Sequence, residues 1–464
     1  EGQWEINPDH PLGSSFVRRL KSALDVGDRE AVNELFRTRV RHVDAVIELA
    51  NDDWMKEPSA QIPQQVLLAL EVGDLNIIRI LGARHANCAL EVMGEELGYE
   101  AQTPAKFGLA GLWTLEYTQE LTTPLCITSA HGYSECVRYL LHRRADPNAA
   151  PGGRAPLHEA CAGGHADCVQ LLLDYGANPN QLSDDGLSPL HYCNTLGSLR
   201  CAELLLSHGA NVNQGTEEKL DSPLHLASQL ALIPHVQLYL RQGAAINSKN
   251  HDGVTPLSAA CGGKEGNEST RLELCSVLLE AGADPEIPDQ QDIRPLHHAC
   301  RRVDSQLVEL LLAAGVDVNA ADYNGVLPLS CVLQSAEYHQ EKNPQVTVRA
   351  LLNRGARCVC PEAFGKVLRF CSGLPEIIAV LYNTYASLHI FSRWKTEIPE
   401  EVFQAHESFY TTFFSLSGSV RSLQHLCRYS LRRRFGHQCH CLIPLLPIPR
   451  ALQDYLLLTP ELLC

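Results

Sequence analysis

The side chains in this sequence that most often do chemistry are histidine and cysteine, and their spacing argues against most of that chemistry. His158, His191, His225 and His297 each stand two residues after a proline. A metal centre or an acid–base site needs its groups to converge on one point, whereas these four are spread along the chain at a recurring register. At that register other segments carry Cys126, Ser258 and Ser330. Neither metal ligation nor proton transfer tolerates that exchange, so a repeated structural hydrogen bond is the expectation. His437, Cys439, His440 and Cys441 have the ligand types of zinc. Their adjacent and alternate spacing does not wrap one tetrahedral ion without ligands from elsewhere. Arg432, Arg433 and Arg434 form a short cationic run; near the carboxy end of a helix, such residues complement its dipole. There is no nucleotide-binding glycine loop, no nucleophile elbow and no cysteine with a partner histidine. The chain is expected not to be an enzyme, and no cofactor or metal is expected.

The elements that position these residues must be organised over 464 residues, more than one compact core manages. The hydrophobic fraction of 45% and charged fraction of 20% are those of a folded soluble protein. Eighteen cysteines spread over the whole length without paired spacing read as reduced, mostly buried thiols of a cytoplasmic or nuclear protein. The opening Glu1-Gly2-Gln3-Trp4-Glu5 lacks the basic region and apolar core of a secretory signal. It also begins without Met, which leaves room for residues upstream. The longest apolar stretch, Ile377 to Phe391, is broken by Asn383 and His389 and falls short of the ~20 residues a spanning helix needs. Of the net charge of −16, residues 421–464 hold +4, leaving −20 on residues 1–420. Such a body repels nucleic acid and stays soluble, so neither nucleic acid nor membrane is an expected partner.

A period organises most of the chain. Prolines at 124, 156, 189, 223, 256, 295 and 328 are spaced by 32, 33, 34, 33, 39 and 33 residues. Gly176, Gly209, Gly243 and Gly315 each follow their proline by 20 residues, and Gly282 and Gly355 follow by 26 and 27. Thr123, Ser188, Ser222 and Thr255 precede the proline, where a hydroxyl caps a helix whose first position proline fills without losing a hydrogen bond. The leucine runs 171–173, 204–206 and 310–312 supply the buried stripe of a second helix, and the glycine beyond permits a left-handed stop. Ser188-Pro189-Leu190-His191 and Ser222-Pro223-Leu224-His225 resemble the Thr-Pro-Leu-His signature of ankyrin repeats, which implies an all-α solenoid. Arg144 stands where the first clear repeat should carry its glycine; that helix must end differently or bear a left-handed non-glycine residue. Insertions at Gly263 to Thr270 and Gln334 to Val346 are expected between the two helices of their repeats. Upstream, Ala23-Leu24-Asp25-Val26-Gly27-Asp28 and Ala69-Leu70-Glu71-Val72-Gly73-Asp74 echo each other, as inner-helix ends of divergent repeats.

The tail carries a second signal. In Ser422-Leu423-x-x-x-Cys427-x-x-x-Leu431 the apolar residues, with Leu426 beside them, lie one above another on a helix. Fifteen residues beyond Leu431 comes Leu446-Pro447-Ile448-Pro449, then Leu452 and Tyr455 to Leu457. Together these resemble a SOCS box, and with the repeats they point to the ankyrin repeat and SOCS box protein family. The resemblance implies that Leu423, Leu426, Cys427 and Leu431 bind elongin C. It also implies that Leu446 to Pro449 select cullin-5 with its RING partner, and that Leu452 to Leu458 fold back as a helix against the first. Elongin B completes the implied partner set. The chain would be the substrate-recognition subunit of a ubiquitin ligase; the alternative is an ankyrin scaffold whose tail only caps the stack. The expected domains are 1–120 (divergent repeats), 121–357 (about seven ankyrin repeats), 358–419 (a helical cap) and 420–464 (the SOCS box). For the protein target, hairpin tips and inner helices of ankyrin repeats are the binding surfaces, here including Asp184, Asp185, His251, Asp252, Asp289, Asp292 and Tyr323.

Overall fold

A computed structural model describes residues 8–459 except 12–13, 41–43, 51–118, 264 and 418. It divides into two compact units, the second beginning at Leu157. The second half of the Ala23/Ala69 echo lies outside the described residues.

In the first unit, α1 (Ser15–Val26) is stopped by Gly27 at φ 71°. The Asp28 carboxylate then caps α2 (Arg29–Thr38) by accepting the amides of Glu30 and Ala31. The segment 23–28 is therefore a helix end followed directly by a helix start. Two short strands, β1 (Ile47–Ala50) and β2 (Gln119–Thr122), pair antiparallel with Ile47 opposite Thr122. They are the exception to the all-helical expectation. The pair α3 (Pro124–Ala130) and α4 (Ser134–His142) follows, with Thr123 Oγ1 accepting the Cys126 amide at 3.2 Å. Phe16, Leu20, Val32, Phe36, Ile47 and Ile127 form the core of this unit. Arg144 takes φ 66°, and the Ala145 amide still reaches the Leu140 carbonyl at 3.1 Å. The left-handed stop is kept, with arginine bearing the strain.

The second unit repeats the helix pair: α5 (Pro156–Ala162) with α6 (Ala166–Asp174), a 3-10 turn (Pro189–Tyr192) with α7 (Leu199–Ser207), and α8 (Pro223–Gln229) with α9 (Ile233–Arg241). Then come α10 (Pro256–Gly262) with α11 (Glu268–Glu280), α12 (Pro295–Arg301) with α13 (Ser305–Ala313), and α14 (Pro328–Ser335) with α15 (Pro344–Asn353). After Pro189 only a 3-10 turn forms. Cys193-Asn194-Thr195, all poor helix formers, follow it, and Tyr192 sends its hydroxyl to Ser183 Oγ at 3.3 Å. A further pair, α16 (Phe364–Cys371) and α17 (Pro375–Tyr382), stacks on α14 and α15. Then α18 (Glu400–Ala405) and α19 (Glu407–Ser415) lead to the tail. No described helix is long and apolar enough to cross a membrane.

Three hydrogen-bond devices hold neighbouring repeats. His158, His191, His225 and His297 each place Nε2 within 3.0–3.3 Å of a carbonyl of the following loop, at Gln181, Asp221, Val254 and Val326. In His191, His225 and His297, Nδ1 accepts the amide of the helix-capping residue at 3.1–3.2 Å. The proton is thus assigned to Nε2, and burial holds these three rings below the usual imidazole value.

The second device is a ladder of amides at the fourth residue after the repeat glycine. Asn180, Asn213 and Asn319 each donate Nδ2 to the next repeat's glycine carbonyl at 3.0–3.2 Å and accept an amide two residues further on at 2.7 Å. Asn247 does the same more loosely, its Nδ2 at 3.5 Å from the Gly282 carbonyl. At the equivalent position Glu286 can only accept, from Asp317 at 2.7 Å, and it pairs with Arg294 at 3.6 Å. The ladder ends at Val359, whose side chain carries no carboxamide.

Third, the hairpin tips bond one to the next: Glu217 to the Gly186 carbonyl, His251 to Lys219, Gln290 to Asp252 and Tyr323 to Gln291. Both insertions fall between the two helices of their repeats except at their ends, where Glu268 to Thr270 open α11, Gln334 and Ser335 end α14 and Pro344 to Val346 open α15, and the two are joined. Lys342 pairs with Glu268 at 2.5 Å and donates to the Arg302 carbonyl, while Arg302 donates to Gly263.

A carboxy-terminal helix with its apolar face uncovered

The tail is built on α20 (Leu423–Phe435). Ser422 Oγ accepts the His425 amide at 3.2 Å to start it, and Gly436 at φ 55° ends it. Its two faces are inverted relative to an ordinary amphipathic helix, in which leucine is inside and arginine outside. Leu423 is 81% exposed, Leu426 40% and Leu431 37%, and Cys427 is exposed with them. The buried residues are His425 at 0% and Arg428 at 2%.

Specific partners account for the inward charges. His425 lies with Nε2 at 2.8 Å from the Tyr385 carbonyl, and its Nδ1 meets Arg428 Nη2 at 3.0 Å. Burial, reinforced by the charges of Arg421 and Arg428, lowers its pKa, so the ring is neutral. The Arg428 guanidinium lies over the Tyr455 ring at 4.1 Å. Arg421 stacks on Tyr382 at 3.6 Å and donates to its carbonyl at 3.0 Å. Arg432 donates to Asn353 Oδ1 and to the Leu456 carbonyl, both at 2.7 Å, and to the Leu352 carbonyl at 3.2 Å; burial lowers its pKa. The run Arg432 to Arg434 does lie in the last turn, but Arg432 turns inward and bonds neutral groups.

Beyond the helix, α21 (Cys439–Leu442) and a 3-10 turn bring Cys439 and Ile443 into a small core with Leu456, against which Leu446 and Ile448 pack half-buried. Pro447 and Pro449 face outward, and Leu445 beside them is 78% exposed. Gln453 Nε2 holds the segment through the Leu446 carbonyl at 3.0 Å. The closing helix α22 (Arg450–Leu456) lies against α20. It starts earlier than Leu452, and Leu457 and Leu458 form a turn in which Leu458 takes φ 60°. Cys439 Sγ points to the Arg432 carbonyl at 3.5 Å and Cys441 Sγ to Gln438 at 3.3 Å, while His440 Nδ1 faces the His437 carbonyl. Among the described residues no three His, Cys, Asp or Glu converge as metal ligands. Every described cysteine is a free thiol, buried except Cys358, Cys360, Cys427 and Cys441.

On the hairpin tips, Asp184, Asp185, His251, Asp252, Asp292 and Tyr323 are exposed, Tyr323 at 78%. Asp289 is half-buried, and its Oδ1 accepts the amides of Gln291 and Ile293 at 2.8 Å. That is the turn-closing role Asn250 and Asp322 play in their repeats. Glu217, Glu218 and Leu220 stand exposed on the same row of tips and are absent from the sequence-based set. So are the residues seating α20, namely Asn353, Tyr382, Tyr385 and Arg421. Only the density of arginine in the tail hinted at them.

Stacked helix pairs carrying a small carboxy-terminal module with an uncovered apolar helix define a helical repeat protein with an appended module. The SOCS box profile matches residues 419–457, and the ankyrin repeats profile matches residues 101–183, 125–216 and 224–322. Human ankyrin repeat and SOCS box protein 18 is 51% identical, with 98% of each chain aligned. Human ankyrin repeat and SOCS box protein 10 is 43% identical over 86% of each, and the mouse protein 16 is 39% identical over 85% of each. The crystal structure of the human ASB11 ankyrin repeat domain aligns over 51% of this chain and all of its own, at 26% identity and a TM-score of 0.44. The chain belongs to the ankyrin repeat and SOCS box protein family.

Proposed function

We propose that this chain is the substrate-receptor subunit of a SOCS-box E3 ubiquitin ligase. In this reading the outward strip of α20 enters elongin C, which brings elongin B. The Leu446 to Pro449 segment directs the assembly to cullin-5 and its RING partner, and the repeats hold a target protein. The supporting observation is the inversion of α20, which leaves Leu423, Leu426, Cys427 and Leu431 uncovered. Burying such a strip is worth roughly 25 cal/mol per Å² of apolar area, and a small thiol suits a tight socket that a larger side chain would overpack. Pro447 and Pro449 offer an edge whose ordering entropy is already spent. Catalysis then belongs to the partners, and the chain contributes proximity between acceptor lysine and thioester.

The test is co-purification. Wild type is expected to retain elongins B and C, and Leu423→Asp with Cys427→Asp to lose them while keeping the same thermal midpoint. Both positions face solvent, so the chain alone does not need them. Equal recovery from both proteins contradicts the assignment and leaves a scaffold whose tail only caps the stack. Pro447→Ala with Pro449→Ala is expected to weaken cullin-5 capture severalfold with elongin recovery unchanged; undiminished capture places the cullin contact elsewhere.

A further inference from the structure

The inward face of α20 carries information that the outward face does not. An arginine near a helix end would ordinarily point to water. Arg432 instead ties its own helix to two others: α15, the last helix of the repeat array, through Asn353 Oδ1 and the Leu352 carbonyl, and the closing helix α22 through the Leu456 carbonyl. Asn353 returns a second bond, from Nδ2 to the Leu457 carbonyl at 3.0 Å. The seam is also sterically closed, since a Cβ added at Gly355 would stand 2.9 Å from His437 Cα. Asn319 makes the final rung of the amide ladder on that same glycine. The tail module thus meets the last repeat at Leu352, Asn353 and Gly355, where the ladder stops.

We infer that Arg432 is a positioning residue for ubiquitin transfer: by tying the docking helix both to the last repeat and to the closing helix, it fixes the direction in which the repeats face the assembled ligase. The inference rests on the receptor reading above. It adds that the joint between target platform and docking module is a latch and not a hinge. A flexible joint would bring many lysines within reach at low frequency. A latched one presents a few at high effective concentration.

The experiment uses the full chain reconstituted with purified elongins B and C, cullin-5 and its RING partner, activating and conjugating enzymes and ubiquitin. The chain's own lysines serve as the ruler, including Lys219 and Lys249 on the hairpin row and Lys366 and Lys395 in the stretch of chain between the last repeat and the tail. Ubiquitin on each is quantified by mass spectrometry. In wild type, modification is expected to concentrate on a small subset. Arg432→Ala is expected to bind elongins within twofold of wild type and to spread modification, shifting the ratio between the hairpin lysines and Lys366 and Lys395 at least threefold. Arg432→Lys, which keeps one donor, should fall between. Asn353→Ala removes the contact from the repeat side; it carries the test if Arg432→Ala does not fold, and is expected to give the same redistribution. A merely structural role would lower the thermal midpoint without moving the ratio. An unchanged lysine pattern in the folded variants overturns the latch alone. Failure of wild type to capture elongins overturns the receptor reading and the latch with it.

Discussion

At the scale of single residues, chemistry-bearing side chains serve here as structural connectors. The repeat histidines were legible as such because they exchange with cysteine and serine at one register. Their geometry agrees, with one ring nitrogen on a capping amide and the other on the next loop's carbonyl. That arrangement needs a neutral ring, since a second proton on Nδ1 would face an N–H. Burial lowers the values of His191, His225, His297 and His425. An unfolded histidine titrates near ~6.5. The unfolded chain therefore binds more protons between that value and the folded ones. The stabilisation is fully present above about pH 6.5 and is lost as pH falls through the folded values. The urea midpoint is expected to drop between about pH 7.5 and pH 5, and His225→Gln, which keeps a donor and an acceptor, to flatten the decline. A midpoint unchanged over that interval contradicts the neutral assignment. Arg432 was not legible in the same way. A run of three arginines reads as solvated charge, and only the partners of each show that Arg432 is bound in the seam while Arg433 and Arg434 stay exposed.

At the scale of elements, the proline and glycine markers located the helix pairs because both act through local backbone geometry. The departures have local causes too. The helix expected after Pro189 shrinks to a 3-10 turn ahead of Cys193-Asn194-Thr195, and the two short strands of the first unit pair residues far apart in sequence, which periodicity does not see. The insertions were placed between helices, but their clasp through Lys342 and Glu268 depends on contacts across an intervening repeat. The amide ladder corresponds in the sequence to Asn at the fourth position after Gly176, Gly209, Gly243 and Gly315, with Glu286 replacing it after Gly282, and it ends at Val359. Each full rung supplies two hydrogen bonds on an exposed edge. Asn213→Ala is expected to cost about 1 to 2 kcal/mol in urea unfolding. Asn213→Asp, which keeps the acceptor and sets a carboxylate against the Gly243 carbonyl, should be destabilising as well. No loss for alanine would show that the rungs follow the stacking without contributing to it.

At the scale of the molecule, the architecture separates two tasks. Repeats linked by histidines, amides and hairpin tips make a stiff platform whose exposed tips vary in sequence without disturbing the ladder. The tail uses His425, Arg428 and Arg432 for attachment and leaves Leu423, Leu426 and Leu431 outside. That inversion is the central claim, because an apolar helix kept in water has a physical rationale only if a partner covers it. The most direct measurement is hydrogen exchange across residues 423–435 in the purified chain, with and without a saturating amount of purified elongin B–elongin C. These amides are expected to become at least tenfold more protected on addition, with the hairpin tips unchanged. Identical exchange in the two samples would mean that α20 meets no elongin, and the receptor assignment would fall.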